Sequence, residues 1–480
     1  MGSTREVMDA DRLQRNIFRV CLSAVAVVGL LFASIPASAT GGTTSDYIIK
    51  YKADAAQLLA DGSLPFDVVS RSEALRMDRA GLLEWYEPDG VGYLLDAPAD
   101  QTDSDYYESY QWNLDLIGAE EAFQRGCLGQ GVRIGVVDSG ISPHPALSER
   151  LLPGHNYAEN ARDETETADQ YGHGTAVAGL IAGAGEHGYI GVAPAAELVP
   201  LKVTDGKGVK VSAICRAIYG GVDDFGCDIL NLSLGVTGTY ESLQEAVAYA
   251  EEQGVLLVSA AGNNGRTTRY YPAAYDSVIS VGSVDRNGTV SSRSAHNNSL
   301  LLAAPGVEVR STSASGSYSL HSGTSFAVPQ VVGAAAVALG IEPTLSPAEL
   351  RALLADTATD KGVPGWDEYY GCGLLSVAAS VTALAGPYEP PEPEESDTPC
   401  ALTRPTRLRN YTDEDILCTY VLAEYDGAGR CLGVRSWDYT VPALDFVEIT
   451  PPDEDTIYGQ FVFETATMTP LANARKSLSK

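Results

Sequence analysis

The central region of this chain predicts an α/β fold built on a mostly parallel sheet, and three observations predict it. Gly131 to Val137, Val255 to Ala260 and Val278 to Val284 are short apolar runs without alternating polarity, the pattern of strands buried on both faces. Between them, Glu241 to Gln253 carries Leu243, Ala246, Val247 and Ala250 at helical spacing and is stopped by Gly254. Strand and helix therefore alternate, the order that lays helices over a parallel sheet.

Ser346-Pro347-Ala348-Glu349 is a capping box with Pro at the first helical position and predicts a helix through Leu354. A small apolar helix is predicted from Val331 to Leu339, and the α/β region is bounded at residues 105–385. Before it, Tyr47 to Tyr51, Phe66 to Val69, Leu82 to Tyr86 and Val91 to Leu95, with the turn Glu87-Pro88-Asp89-Gly90, predict a small α+β unit over residues 40–104. After it, residues 386–399 hold five prolines among five acidic residues and predict a semi-extended linker. Residues 400–480 read as a small β-rich, sandwich-like domain: Ile416 to Tyr425, a turn at Asp426 to Gly429, Cys431 to Trp437 and Tyr458 to Phe463.

A length of 480 residues suits two or three folded units, and 45% hydrophobic with 20% charged residues is a globular composition. Lys+Arg 32 against Asp+Glu 63 gives a net charge of −31, which repels phosphate backbones and anionic headgroups, so nucleic acid is excluded as a partner. At the N-terminus Arg12, Arg15 and Arg19 precede the apolar run Val20 to Ile35, which ends in Pro36-Ala37-Ser38-Ala39. That is an export signal over residues 1–39, shorter than the ~20 residues that span a bilayer, with an uncleaved anchor as the alternative, and it predicts a secreted or cell-envelope protein beginning near Thr40. No later stretch is expected to span. Of eight cysteines, Cys21 leaves with the signal, and the remaining odd count leaves one thiol free unless it pairs between chains. No pair has the CxxC spacing of a zinc ribbon or thioredoxin-type site.

Polar residues at the carboxyl ends of parallel strands are the places to look for chemistry. Asp138 closes the run Val132 to Val137, Asn263 follows Leu257 to Gly262, and Asn231 and Ser233 lie in Ile229 to Gly235. Each alone fits an ordinary turn or helix cap. His173, one of six histidines, begins the small-residue stretch Gly174 to Leu180, and Ser325 precedes a small apolar helix, whose N-terminus favours anionic charge. Alone, His173 fits a packed structural histidine and Ser325 one serine among many.

Together, Asp138, His173 and Ser325 occur in this order, each inside a long motif, and here the chain resembles the subtilisin-like serine proteases. The resemblance runs from about Tyr106 to Ala383. It rests on Gln111-Trp112-Asn113-Leu114, Val136-Val137-Asp138-Ser139-Gly140-Ile141 and Tyr171-Gly172-His173-Gly174-Thr175. Further matches are Gly191-Val192-Ala193-Pro194, Asn231-Leu232-Ser233-Leu234-Gly235, Ala260-Ala261-Gly262-Asn263, Ala303-Ala304-Pro305-Gly306 and His321-Ser322-Gly323-Thr324-Ser325-Phe326-Ala327. The α/β-hydrolases, the competing home for a nucleophilic Ser, need a second Gly after it and the order Ser, acid, His.

The resemblance implies a three-layer domain and a serine endopeptidase. Ser325 is the nucleophile, His173 its base, and Asp138 the residue that orients the imidazole. Asn263, with the Ser325 backbone N–H, is the implied oxyanion donor. Ser233-Leu234-Gly235 and Ala260-Ala261-Gly262 would flank the pocket before the scissile bond, the first as an edge to which a protein or peptide substrate adds as a strand. The unit before Asp105 resembles a propeptide, an intramolecular inhibitor released at a junction between Ala97 and Asp105.

The chain also departs from the family. Phe326 stands where Met is usual, and Gly265 to Pro272 is shorter than in many members, which leaves cleavage preference unread. Ala146 replaces a calcium-ligating Asp, and the loop Ala184 to Tyr189 lacks the usual Asn, so no metal or other cofactor is expected there, although calcium at another site stays open. By resemblance Cys127 and Cys372 are neighbours and are expected to form a disulfide, while Cys215 and Cys227 read as buried hydrophobes. Three other readings remain: a zymogen locked by its pro-unit, a non-enzymatic binding protein on a protease fold, and a C-terminal domain that binds a cell-surface partner.

Overall fold

The computed structural model describes residues 46–53, 64–95, 111–159, 161–184, 189–206 and 208–387 with their side chains, and the backbone of six strands between residues 406 and 477. The predicted signal, the Ala97 to Asp105 junction and nearly all of the linker lie outside the described residues.

The N-terminal unit comprises β1 (Asp46–Tyr51), β2 (Asp67–Ser70), α1 (Arg71–Arg79), β3 (Leu83–Pro88) and β4 (Val91–Leu94). Its antiparallel sheet has the order β2-β1-β3, and its small core gathers Ile49, Tyr51, Ala74, Met77 and Leu83. Two short helices follow, α2 (Trp112–Leu116) and α3 (Ala119–Gln124), and the chain then enters the central sheet.

Next come β5 (Arg133–Asp138), β6 (His155–Asn156), α4 (His173–Ala182), β7 (Glu197–Lys202), β8 (Gly208–Lys210), α5 (Val211–Asp223), β9 (Ile229–Leu232) and β10 (Leu234–Thr237). These are followed by α6 (Glu241–Glu252), β11 (Leu256–Ala260), β12 (Tyr270–Tyr271), β13 (Ile279–Val284), β14 (Leu302–Pro305), β15 (Val309–Thr312) and β16 (Tyr318–His321). Helices α7 (Thr324–Ile341), α8 (Pro347–Asp356) and α9 (Val377–Ala385) close the region. The main sheet is parallel throughout, with the order β14-β13-β11-β9-β5-β7-β6.

Alternate residues of each strand feed two cores. Ile134, Val136, Ile229 and Val258 pack with α4 and α7 on one face. Val137, Leu230, Leu232 and Leu257 pack with α5 and α6 on the other. This is why the strands read as unbroken apolar runs. After β5 the chain goes out to the edge strand β6, returns to β7 beside β5, then crosses over to β9, so the order reverses at β5. The crevice beyond the carboxyl ends of β5 and β9 is thus the place where this topology opens a site.

The predicted strands and the capping-box helix stand within a few residues of their expected bounds. Ser346 and Glu349 exchange both capping bonds at the start of α8. Two expectations are corrected. The helix expected at Val331 begins seven residues earlier, at Thr324, and runs through Pro329. Pro329 lacks the N–H that would bond the Ser325 carbonyl, and the hydroxyl of Ser233 donates to that carbonyl instead, at 2.8 Å. The same helix is long and apolar enough to cross a membrane by length and composition, contrary to the expectation that no later stretch would be; 83% of it is buried inside the protein, where it serves as the core helix under the sheet.

Beyond residue 405, β17 (Thr406–Arg409) pairs with β20 (Phe446–Ile449). There β18 (Ile416–Tyr425), β19 (Cys431–Val441), β21 (Ile457–Glu464) and β22 (Pro470–Ser477) form an antiparallel sheet of order β19-β18-β21-β22. All three predicted strands of this region are present.

Candidate active site

Asp138 is the last residue of β5 and His173 the first of α4, and both are wholly buried. The carboxylate oxygens of Asp138 lie 2.8 and 2.9 Å from His173 Nδ1. Gly174 lets the two elements approach this closely: a Cβ there would sit 2.2 Å from the Gly140 carbonyl oxygen and 3.1 Å from the Asp138 side chain. The Ser139 amide donates to Asp138 at 2.7 Å. Phe326 packs its ring 5.2 Å from that of His173 and 4.7 Å from that of His321.

Asp169 was not singled out by the sequence reading, yet it organises this corner. Nearly buried, it accepts five hydrogen bonds: from the amides of Tyr171, Gly172 and Thr175, from the Thr175 hydroxyl, and from the Ser139 hydroxyl at 2.8 Å. Amides at the start of α4 that have no partner within the helix are thereby satisfied, and the turn carrying His173 is tied to the strand end carrying Asp138. The available signal was an acidic residue four positions before a helix-opening His, a side chain-to-backbone capping pattern.

Ser325 is the second residue of α7, behind Gly323, whose φ of 142° favours glycine. Its hydroxyl donates to the Ser233 carbonyl at 3.0 Å, reciprocating the bond from the Ser233 hydroxyl to the Ser325 carbonyl. Asn231 donates in turn to the Ser233 hydroxyl at 3.0 Å. Asn263 accepts through Oδ1 from the amide and hydroxyl of Thr324, at 3.0 and 3.2 Å, which turns its NH₂ group outward.

That NH₂ donates to the backbone carbonyl of Leu95, just past β4. The β10 edge predicted to receive substrate is occupied by the chain's own β4, antiparallel, with Leu94 opposite Leu234 and Tyr93 opposite Gly235. On its other side β4 pairs with β8. Gly235 faces Leu95: a Cβ there would lie 3.3 Å from Leu95 Cδ1. Ala260 ends β11, and Ala261 and Gly262 continue it; Gly262, at φ 115°, has the Tyr270 ring where a Cβ would be.

The N-terminal unit is held on α5 and α6 by carboxylates. Glu87 accepts from the amides of Glu241 and Ser242 and from the Ser242 hydroxyl, all at the start of α6. Asp89 accepts from the amide and hydroxyl of Ser212 at the start of α5. Both meet helix N-termini, where negative charge is favourable. Burial still pushes the Asp89 pKa above its ordinary value, against the hydrogen bonds from Ser212. Lys50 adds an ion pair to Glu245 at 2.8 Å.

The expected Cys127–Cys372 disulfide is corrected: both are free thiols. Cys127 Sγ turns to the Arg125 carbonyl, while Cys372 sits in a segment whose amide is bonded to Leu301. Cys215 and Cys227 are buried, as expected. At the position where calcium is not expected, Ala146 is buried, and residues 185–188 of the loop Ala184 to Tyr189 lie outside the described residues. Among the described residues no group of three His, Cys, Asp or Glu is placed to hold a metal.

Residues 129–373 match the model of the subtilase family. The thermostable alkaline protease of Halalkalibacterium halodurans is 34% identical over 73% of this chain and 96% of its own length. Subtilisin BL of Lederbergia lenta is 38% identical over 57% of this chain and 99% of its own. The minor extracellular protease Epr of Bacillus subtilis is 36% identical over 60% of this chain and 44% of its own. With a parallel sheet opening at its switch point on a paired Asp and His, the chain belongs to the subtilase family and is a subtilisin-like serine endopeptidase.

Proposed function

We propose that the protein is exported as a zymogen, cuts its own chain between Leu95 and Asp96, and then hydrolyses other proteins at the same site. The observation that carries this is the Asn263 side chain donating to the Leu95 carbonyl while β4 lies in the cleft as a strand. A carbonyl held by an oxyanion donor is placed for attack, which supports a cut after Leu95, just before the expected junction between Ala97 and Asp105.

Ser325 Oγ adds to the carbonyl carbon and passes its proton to His173, whose imidazolium Asp138 stabilises through Nδ1. The oxyanion takes hydrogen bonds from Asn263 and the Ser325 amide. His173 then protonates the leaving amine, the acyl-enzyme forms, and water attacks it with His173 again as base. After the cut, Val91 to Leu94 remain paired with β10 and β8, and Glu87 and Asp89 stay on their helices. The N-terminal unit is thus an inhibitor until it dissociates or is digested. Export is supported by the basic and apolar pattern of residues 12–39 and by an extracellular relative. No cation is required at the Ala146 position in this reading.

The test is labelling of the full secreted chain with a serine-reactive fluorophosphonate, wild type beside Ser325→Ala, with intact masses of both. Label on the wild type only, and a mass loss ending at Leu95 in the wild type only, is the expected result. A processed wild type that takes no label overturns it and leaves a binding role.

A further inference from the structure

Subtilases in general do not dictate which residues this one cuts after, and its own strand in the cleft carries that information. We infer that Val236 fills the subsite for the fourth residue before the cut and makes this protease select glycine there. The inference rests on the proposed reading that Leu95 is the residue before the cut, so that Leu94, Tyr93 and Gly92 are the second, third and fourth.

Gly92 lies between two strands. It is opposite Val209 of β8, and the register of β4 on β10, Leu94 with Leu234 and Tyr93 with Gly235, puts Val236 opposite it on the other side. Both valines are buried. A Cβ built on Gly92 would sit 2.4 Å from Val236 Cγ1 and 3.0 Å from the Gly235 carbonyl oxygen, well inside van der Waals contact. Neither neighbour yields easily. Valine is stiff at χ1, and Val236 is backed by Tyr271, its partner in β12. The second obstacle is backbone.

Nearby positions behave differently. A Cβ on Gly90 would also collide, 2.1 Å from the Tyr240 hydroxyl, but that atom is the far end of a side chain that can swing aside, so no selection follows there. Val91 and Tyr93 are 47% and 56% exposed, and their side chains stand out of the cleft. Leu94 is buried in the core between the sheet and α5, and Leu95 packs against the opposite core. The pattern accepted is therefore glycine, any residue, then two apolar residues and the cut.

The test uses the full chain after secretion and a set of chromogenic peptides, acetyl-X-Tyr-Leu-Leu-p-nitroanilide, with X as Gly, Ala, Val or Phe. The expected result is a kcat/KM for Gly above those for Val and Phe by roughly tenfold to two hundredfold. In Val236→Ala and Val236→Gly the Gly-to-Phe ratio falls toward one. Equal hydrolysis of the Gly and Phe peptides by the wild type overturns the inference while the proposed function stands, and this arm needs no variant to fold. A high ratio unchanged in both variants overturns the role of Val236. If no peptide is hydrolysed the inference falls, and an unlabelled Ser325 in that same preparation takes the proposed function with it.

Discussion

On one wall of the cleft Asp138 and His173 have no solvent exposure at all, and Asp169 fixes their geometry through five hydrogen bonds. On the other wall β4 is an added strand whose Val91 and Tyr93 face water, held by edge pairing and by carboxylates on two helix ends. In the proposed reading, groups that must keep one geometry through every turnover are built into the core, and groups that must give way to substrate are attached through bonds that water or another peptide can replace.

The sharpest way to break this comparison is at the fixed wall. Ser325→Ala should lower peptide hydrolysis about 10⁶-fold, the loss known for subtilisin's nucleophile, read as kcat on a chromogenic peptide. Asn263→Ala should cost roughly 10² to 10³ in kcat with little change in KM, as measured for the equivalent donor of subtilisin. A comparable loss in KM instead would assign Asn263 to substrate binding alone.

Next in size is Asp169→Ala, which leaves several buried amides without acceptors. It should destabilise the protein by roughly 2–4 kcal/mol and lower kcat more than KM, read by thermal unfolding and steady-state kinetics. Activity should rise with pH and then level off as the base His173 loses its proton, read as kcat/KM on a chromogenic peptide across pH. A flat profile from about pH 5 to 9 would count against His173 as the base.

At the exchangeable wall the effects are smaller. Glu87→Gln with Asp89→Asn should weaken the docked unit by roughly the worth of two helix caps, each about 0.5–2 kcal/mol, and shorten the lag before peptide hydrolysis appears. An unchanged lag would mean that strand pairing alone holds the inhibitor. A last effect concerns His321, whose pKa is pushed down from 6.5 to about 3, first by burial and then by nearby His173. The unfolded chain takes up this proton first, so stability falls as pH drops from about 6.5 toward about 3. His321→Gln should flatten that limb of the Tm–pH curve.

Legibility in the sequence followed the range of the interactions. Strands β5, β11 and β13 and the α8 cap were readable because their signals are local: apolar runs, and a Ser with a Glu three residues on. Asp138, His173, Ser325 and Asn263 were singled out because each sits in a motif; the structure brings the first two into contact and sets the Asn263 amide against the Leu95 carbonyl. Asp169 was missed because its role is split among backbone amides, which no side-chain pattern advertises. The start of α7 was misplaced because Pro329 reads as a helix breaker until Ser233, 92 residues before Ser325 in sequence, donates to the Ser325 carbonyl that the missing N–H leaves open. The pairing of β4 with β10 spans still more of the chain, and nothing in either tetrapeptide names the other.

Pro329 leaves α7 without one rung of its own ladder between the turn that bears Ser325 and the rest of the helix. The first turn is fastened instead to the β9–β10 junction through Ser233, and Asn231 fastens Ser233. Mechanically this is a joint. Repacking or thermal fraying at the Leu339 end loosens one part of the rod, while the position of the Ser325 hydroxyl is set by the sheet. Drift at the far end of α7 should therefore leave the Ser325 hydroxyl in place, and substitutions there should shorten the protein's half-life at high temperature before they lower kcat.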